Sequence, residues 1–158
     1  MKKLLLSLLM MVVVFTTGCS PKEELPPLMD SDVVNEISLD AVDRWGDKFD
    51  VDVREVNNNL VIEIIADIHL DTETPSFKID FMYGYNQNVR QTQIKAKNYL
   101  KKQQEKLITE GYNVDIIMVS TDRDGNILQL VDTKGNSMVV DGGEFIKIDE
   151  YFKEMTTM

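Results

Sequence analysis

The first 19 residues limit what the rest of this chain can fold into. Lys2 and Lys3 precede an apolar run over residues 4–15 that only Ser7 interrupts. A short positive segment followed by a short apolar one is typical of a secretory signal, which targets the chain and does not fold with it. A helix of about 12 residues is about 18 Å long, too short to cross a hydrocarbon core of about 30 Å. We therefore expect a signal peptide over residues 1–18.

The apolar run ends at Thr16-Thr17-Gly18-Cys19, and Cys19 is the only cysteine of the chain. This segment resembles the lipobox of bacterial lipoproteins, in which small residues precede a cysteine that takes a diacylglycerol before cleavage in front of it. Thr16 departs from the family pattern, which usually has Leu there. The resemblance implies lipidation of Cys19, no other cofactor, and a protein anchored to the cell membrane and facing outside the cytoplasm.

The segment after Cys19 is polar and contains Pro21, Pro26 and Pro27. This composition predicts a lipidated cysteine and flexible tether over residues 19–31, which holds the folded body on the order of 20 Å from the anchor. Residues 32–158 have the length of a single domain. Because no cysteine pair is present, we expect an apolar core to stabilise that domain without disulfides.

The net charge excludes some classes of partner. The chain has 17 basic and 27 acidic side chains, and loss of Lys2 and Lys3 with the signal moves its net charge from −10 to −12. Nucleic-acid binding relies on basic side chains that neutralise phosphates, and lying flat on anionic lipid has the same requirement. The composition therefore favours a solvated domain that faces a cationic or neutral partner. Given the expected location, another envelope or extracellular protein is the candidate partner.

Apolar periodicity predicts the elements of the first half. Helical spacing of apolar residues indicates a helix from Asp32 to Trp45, with Asp30 or Ser31 as its cap and Gly46 as its stop. Alternation over residues 49–54, a turn at Asn57-Asn58-Asn59 and a β-branched run over residues 60–70 predict a hairpin. Alternation over residues 77–83 predicts a third strand.

The second half repeats this order. An apolar stripe predicts a long helix between Asn86 and Gly111, followed by strands over residues 114–120, 127–132 and 137–140. Residues 145–148 add a fourth strand and residues 149–155 a final helix. We therefore predict an α+β domain of order α-βββ-α-βββ(β), with helices packed on one face of an antiparallel sheet. Residue identity between the halves is poor, which leaves open whether they are a duplication.

The second half also carries two characteristic turns, Asp124-Gly125-Asn126 and Thr133-Lys134-Gly135-Asn136, after its helix. This helix and the segment over residues 112–140 resemble the helix-plus-meander unit of PepSY-type domains, over about 50 residues. The resemblance implies a non-catalytic, extracytoplasmic domain that binds or restrains other proteins.

Candidate metal ligands lie near the end of the second strand. Alternation places Asp67, His69 and Asp71 on one face, with Glu63 further along it, and neighbouring side chains on that face are about 6.5–7 Å apart. Two of them, with Asp80 from a partner strand, would be close enough to share a metal. The alternative is a solvated, acidic outer sheet face.

Asp122-x-Asp124-Gly125-Asn126 resembles the start of a calcium loop, where oxygen ligands recur at every second residue. The position that should close such a loop with an acidic side chain is Thr133. A hairpin turn explains the same residues without a ligand.

The long helix carries the one basic surface of this acidic chain, formed by Arg90, Lys95, Lys101, Lys102 and Lys106. Together with the acidic face around Asp67, it is a candidate surface for binding another protein. The sequence favours a membrane-anchored binding module without catalytic activity. A small cell-envelope hydrolase or metal-dependent enzyme is the alternative.

Overall fold

The computed structural model describes residues 24–69, 93–139 and 145–156. These residues form an α+β domain with a five-stranded sheet, and the order of elements roughly matches the prediction. The described helices are α1 (Asp32–Trp45), α2 (residues 93–109) and α3 (Ile148–Met155), preceded by a short 3-10 turn at Leu28–Asp30. The strands are β1 (Asp50–Val56), β2 (Asn59–Ile65), β3 (Asp115–Thr121), β4 (Ile127–Asp132) and β5 (Ser137–Val139), and they lie in that order across the sheet. The strand predicted over residues 77–83 lies outside the described residues.

Helix α1 has the predicted bounds because its first turn is capped. The Ser31 hydroxyl accepts a hydrogen bond from the Val34 N–H at 3.3 Å and donates to the Leu28 carbonyl at 2.6 Å. A side-chain oxygen at this position satisfies a backbone donor that has no partner within the helix. The helix buries Val33, Val34, Ile37 and Ala41.

The hairpin between β1 and β2 has a tight two-residue turn. Asn57 and Asn58 have φ angles of 50° and 64°, in the left-handed region that Asn tolerates better than most residues. Strand β2 ends at Ile65 and not at residue 70 as predicted. The Ala66 N–H still donates to the Thr121 carbonyl at 2.8 Å, where β3 ends. Beyond that point the Ile68 carbonyl accepts at 2.9 Å from the N–H of Arg123, which lies in the β3–β4 turn and not in a strand.

The sheet is mixed, whereas an antiparallel sheet was predicted. Strands β2 and β3 pair in parallel, with Leu60 opposite Ile116. The segment between them contains α2 and returns the chain to the end of the sheet where β2 began, as a crossover connection requires. The other three strand pairs are antiparallel.

Helices cover both faces of the sheet, whereas the prediction placed them on one. The first face carries Leu60, Ile62, Ile116 and Val131, which form a core with buried side chains of α1 and α2. The second face packs against α3, through residues that form a separate cluster: Val61, Ile117, Val119, Ile127, Leu130, Ile148 and Phe152. Ile148 and Phe152 are four residues apart and therefore lie on the same side of α3.

The strand predicted over residues 145–148 is wrong, because Ile148 begins α3. Among the residues that the structure describes, this segment forms a single isolated β-bridge, between Asn126 and Lys147. The Ile127 N–H donates to the Ile146 carbonyl at 2.9 Å, and the Ile148 N–H donates to the Gly125 carbonyl at 2.9 Å. These bonds hold the start of α3 against the β3–β4 turn.

Helices α1 and α2 are antiparallel. The Trp45 and Tyr99 rings meet at a centroid distance of 5.1 Å, and the Gln103 amide donates to Asp40 at 3.2 Å. The end of α1 therefore lies beside the described start of α2. Within the described parts of the chain, no helix combines the length and the apolarity needed to cross a membrane.

Residues 25–31, which the sequence places in the flexible tether, lie against the domain. Leu28 is 7% exposed and belongs to the core cluster of the first face. The Tyr112 hydroxyl donates to the Pro26 carbonyl at 2.9 Å. We call this end of the molecule, around Leu25, Leu28 and Tyr112, the tether pole.

Candidate functional site

An apolar cavity of about 410 Å³ lies at the opposite end of the sheet from the tether pole. Its walls come from the end of α1, the described start of α2 and the last residues of β2 and β3. The cavity exists partly because Ala96 stands on the buried stripe of α2, where a larger side chain would reach the sheet. Ile64, Met118 and Val131 form its floor on the sheet.

An aromatic pair borders the cavity on the α1 side. Trp45, the only tryptophan of the chain, lines the cavity and packs edge-to-face on Tyr99. The Arg44 guanidinium carbon lies 4.9 Å from the centroid of the Tyr99 ring and 5.7 Å from that of Trp45, within the range of cation–π attraction. Burial, with a further contribution from the Asp40 carboxylate, raises the pKa of the Tyr99 phenol far above its usual range.

Arg123 holds the rim of the cavity in place. Its guanidinium donates to Asp50 at 2.6 Å and to Asp67 at 2.9 Å, and its backbone N–H donates to the Ile68 carbonyl at 2.9 Å. Beside it, the His69 Nδ1 lies 3.1 Å from an Asp124 carboxylate oxygen. These contacts connect the start of β1, the segment after β2 and the β3–β4 turn.

The predicted metal ligands Asp67 and His69 lie beyond the end of β2, so strand alternation does not place them on one sheet face. Each contacts a different residue, Arg123 and Asp124 respectively. Asp71 and the suggested helper Asp80 lie outside the described residues. Among the residues that are described, no three His, Cys, Asp or Glu side chains are grouped to hold a metal ion.

Glu63, predicted on the same solvated face, is buried. Only 6% of Glu63 is exposed, and it accepts a hydrogen bond from the Thr121 hydroxyl at 2.7 Å. The Arg54 guanidinium lies 2.5 Å from its other carboxylate oxygen. The second sheet face is therefore not the open acidic surface that alternation suggested.

The calcium-loop interpretation of Asp122 does not fit its hydrogen bonds. One Asp122 oxygen accepts from the backbone N–H groups of Asp124 and Asn126, at 3.0 and 2.8 Å, and the other accepts from the Asn126 amide at 2.7 Å. The carboxylate thereby fixes a turn, with Gly125 at a φ of 77°. Asp132 and Asn136 repeat the arrangement in the β4–β5 turn.

The predicted basic surface of α2 is interrupted. Lys95, Lys101 and Lys102 are exposed, but Lys106 pairs with Glu36 of α1. Arg90 lies outside the described residues. The charge left for a partner on this helix is therefore smaller than the sequence indicates.

The cavity was not predicted from the sequence. Ala96 in an otherwise bulky stripe was the only local signal for it, because the walls come from segments far apart in the chain. Comparisons with protein-family models, with curated proteins and with solved structures give no match to this chain.

Proposed function

We propose that this protein is a membrane-anchored, extracytoplasmic binding module without catalytic activity, and that it takes a small apolar ligand into the cavity beside Trp45. The cavity is the observation that supports this proposal. Its volume of about 410 Å³ falls within the range of about 300–1,000 Å³ typical of ligand sites, and most of its described lining is apolar. The signal-like segment and the lipobox at Cys19 support the location.

The lining also indicates which ligands fit. The polar side chains among the described lining residues are Asp67, Ser120 and Gln129, and none of the described lining residues is cationic. An anionic group would meet the Asp67 carboxylate at the rim without a counter-charge from the wall. The favoured ligand is therefore uncharged or cationic, with an apolar body that replaces water against Ile64, Met118 and Val131.

Titration with the uncharged apolar dye N-phenylnaphthylamine tests this proposal. The protein is produced without its signal and with Cys19→Ser, so that no acyl chain competes for the site. We expect saturable binding that raises dye emission and quenches Trp45, because that indole lines the cavity.

Two substitutions on α2 provide the matched comparison. Ala96→Phe places a ring in the cavity and should abolish dye binding, whereas Ile94→Phe adds the same ring at a side chain that is 58% exposed and should leave binding intact. Equal binding by both variants would refute the cavity as the site. Nuclear Overhauser effects between Trp45 and aromatic side chains of residues 70–92, without dye binding, would show that the protein fills the cavity with its own chain.

The enzyme alternative has no specific observation in its favour among the described residues. His69, the only histidine, has 55% of its side chain exposed, and its Nδ1 lies 3.1 Å from an Asp124 carboxylate oxygen. The hypothesis of a small hydrolase or metal-dependent enzyme stays a prediction, which a substrate panel with the Asp67→Ala variant would test.

A further inference from the structure

We infer that the tether pole of this domain faces the lipid surface at close range and that the cavity opens on the opposite side, toward the aqueous phase. This inference rests on the proposed lipidation of Cys19 and adds to it an orientation. It follows from where the chain enters the fold and from how α1 and α2 are arranged.

The chain joins the domain earlier than its composition suggests. Leu28 is buried, the Tyr112 hydroxyl holds the Pro26 carbonyl, and Leu25 lies against Gly111. Four residues lie between Cys19 and Glu24, the first described residue, so five Cα–Cα steps join the two. Even fully extended, they span at most about 18 Å, so an acylated Cys19 keeps the tether pole within that distance of the bilayer.

The cavity lies at the far end of the same helices. Helix α1 begins beside the tether segment at Ser31 and ends at Trp45, which lines the cavity. Its 14 residues make it about 21 Å long. Strand β3 runs the same way, from Asp115 near Tyr112 to Thr121 at the cavity end.

Solvent-exposed lining residues lie at the end of the cavity farthest from the tether pole. Phe49 is 37% exposed and the Asp67 side chain is 83% exposed, and both line the cavity at that end. A domain held by a tether shorter than itself cannot turn over freely. The cavity therefore receives its ligand from solution, and not from the bilayer that anchors the protein.

The tether pole has a surface suited to contact with zwitterionic lipid. Leu25 and Met29 are 51% and 39% exposed, so apolar side chains stand at the point where the chain leaves the domain. Glu36 and Glu110 are exposed at the same pole, which disfavours contact with anionic lipid. This surface therefore contacts the neutral lipid headgroups around the anchor.

Site-directed spin labelling of the full acylated protein in phosphatidylcholine vesicles tests the orientation. Acylation blocks Cys19, the only native thiol, so that Met29→Cys labels the tether pole and Asp47→Cys labels the cavity pole. Nickel chelated to lipid headgroups acts as a short-range relaxing agent. We expect several-fold stronger relaxation at position 29 than at position 47. Equal relaxation at both positions, or stronger relaxation at 47, would overturn the inference.

A lengthened tether is the control. Inserting a flexible Gly-Ser linker of about 20 residues after Cys19 gives a root-mean-square reach of about 25 Å and should bring the two signals together. If the difference persists, the short tether is not its cause and the inference fails. Mass spectrometry of the same sample separates the two proposals, because an unmodified Cys19 refutes the membrane anchor itself, whereas an acylated protein with equal relaxation refutes only the orientation.

Discussion

Arg54 and Arg123 each pair with two carboxylates, but at different depths in the protein. Arg54 contacts Asp52 and Glu63, and Glu63 has only 8% of its side chain exposed. The partners of Arg123 are Asp50 and Asp67, whose side chains are 60% and 83% exposed. Replacing each arginine with methionine keeps most of the apolar stem and removes the charge, so the pair of variants isolates the effect of burial.

Arg54→Met should be the more damaging change. It leaves the Glu63 carboxylate buried with the Thr121 hydroxyl as its remaining partner. Breaking a fully buried pair costs about 3–5 kcal/mol, and the 33% exposure of the Arg54 side chain reduces our expectation to about 2 kcal/mol. For a domain of this size, that lowers Tm by about 6–10 °C. Arg123→Met should barely change Tm, because water solvates the carboxylates it leaves.

Thermal and urea unfolding followed by Trp45 fluorescence measure the difference. Adding Glu63→Gln to Arg54→Met should restore about half of the lost stability, because a neutral amide is less costly to bury than an unpaired carboxylate. If the two arginine variants lose equal stability, or if Glu63→Gln brings no recovery, the argument from burial is refuted.

Three further predictions concern the tether, the turns and alkaline pH. Leu28→Ala should cost about 2–3 kcal/mol in urea unfolding, because it empties a core position; no loss would show that the tether segment is not docked in solution. Asp122→Ala removes three accepted hydrogen bonds and should lower the free energy of unfolding by about 3 kcal/mol, and Asp132→Ala should lower it by less. Calcium should leave the Tm of both variants unchanged. A calcium-dependent Tm in the wild type would contradict the assignment of these residues to turns. The raised pKa of Tyr99 means that the unfolded chain loses this proton first, so the contribution of Tyr99 to stability is constant below a pH of about 10 and is lost above it. Tyr99→Phe should lessen that alkaline loss, which thermal unfolding across a pH series will detect.

Local signals were sufficient for most of the elements. The apolar spacing and the Ser31 cap predicted α1 with its observed bounds, since a helix of this kind depends on interactions within four residues. The spacing of apolar residues likewise predicted the buried stripe of Ala96, Leu100 and Leu107 on α2. Gly111 was predicted just after the end of this helix, where it has a φ of 95°. The turns over residues 122–126 and 132–136 were recognisable because the carboxylates of Asp122 and Asp132 bond to backbone N–H groups within four residues.

Features that depend on residues far apart in the chain could not be predicted from local sequence patterns. Alternation in β2 indicates two faces but not what covers them, so Glu63 was placed in solvent although α3 and Arg54 help to enclose that face. Residues 67–69 continued the same alternation, yet a strand lasts only as long as its neighbour, and β3 ends at Thr121. The predicted ligands Asp67 and His69 therefore belong to a rim held by Arg123 and Asp124.

By itself, the sequence determined the helices, the turns and the acidic charge, and it predicts the lipid anchor at Cys19. The tertiary structure decided the parallel pairing of β2 with β3, the docking of Leu28, and the cavity between Trp45, Ala96 and the sheet. The physical reason is the range of the interactions. Caps, turns and periodicity are set by neighbours along the chain, whereas strand pairing and empty space depend on which remote segments meet.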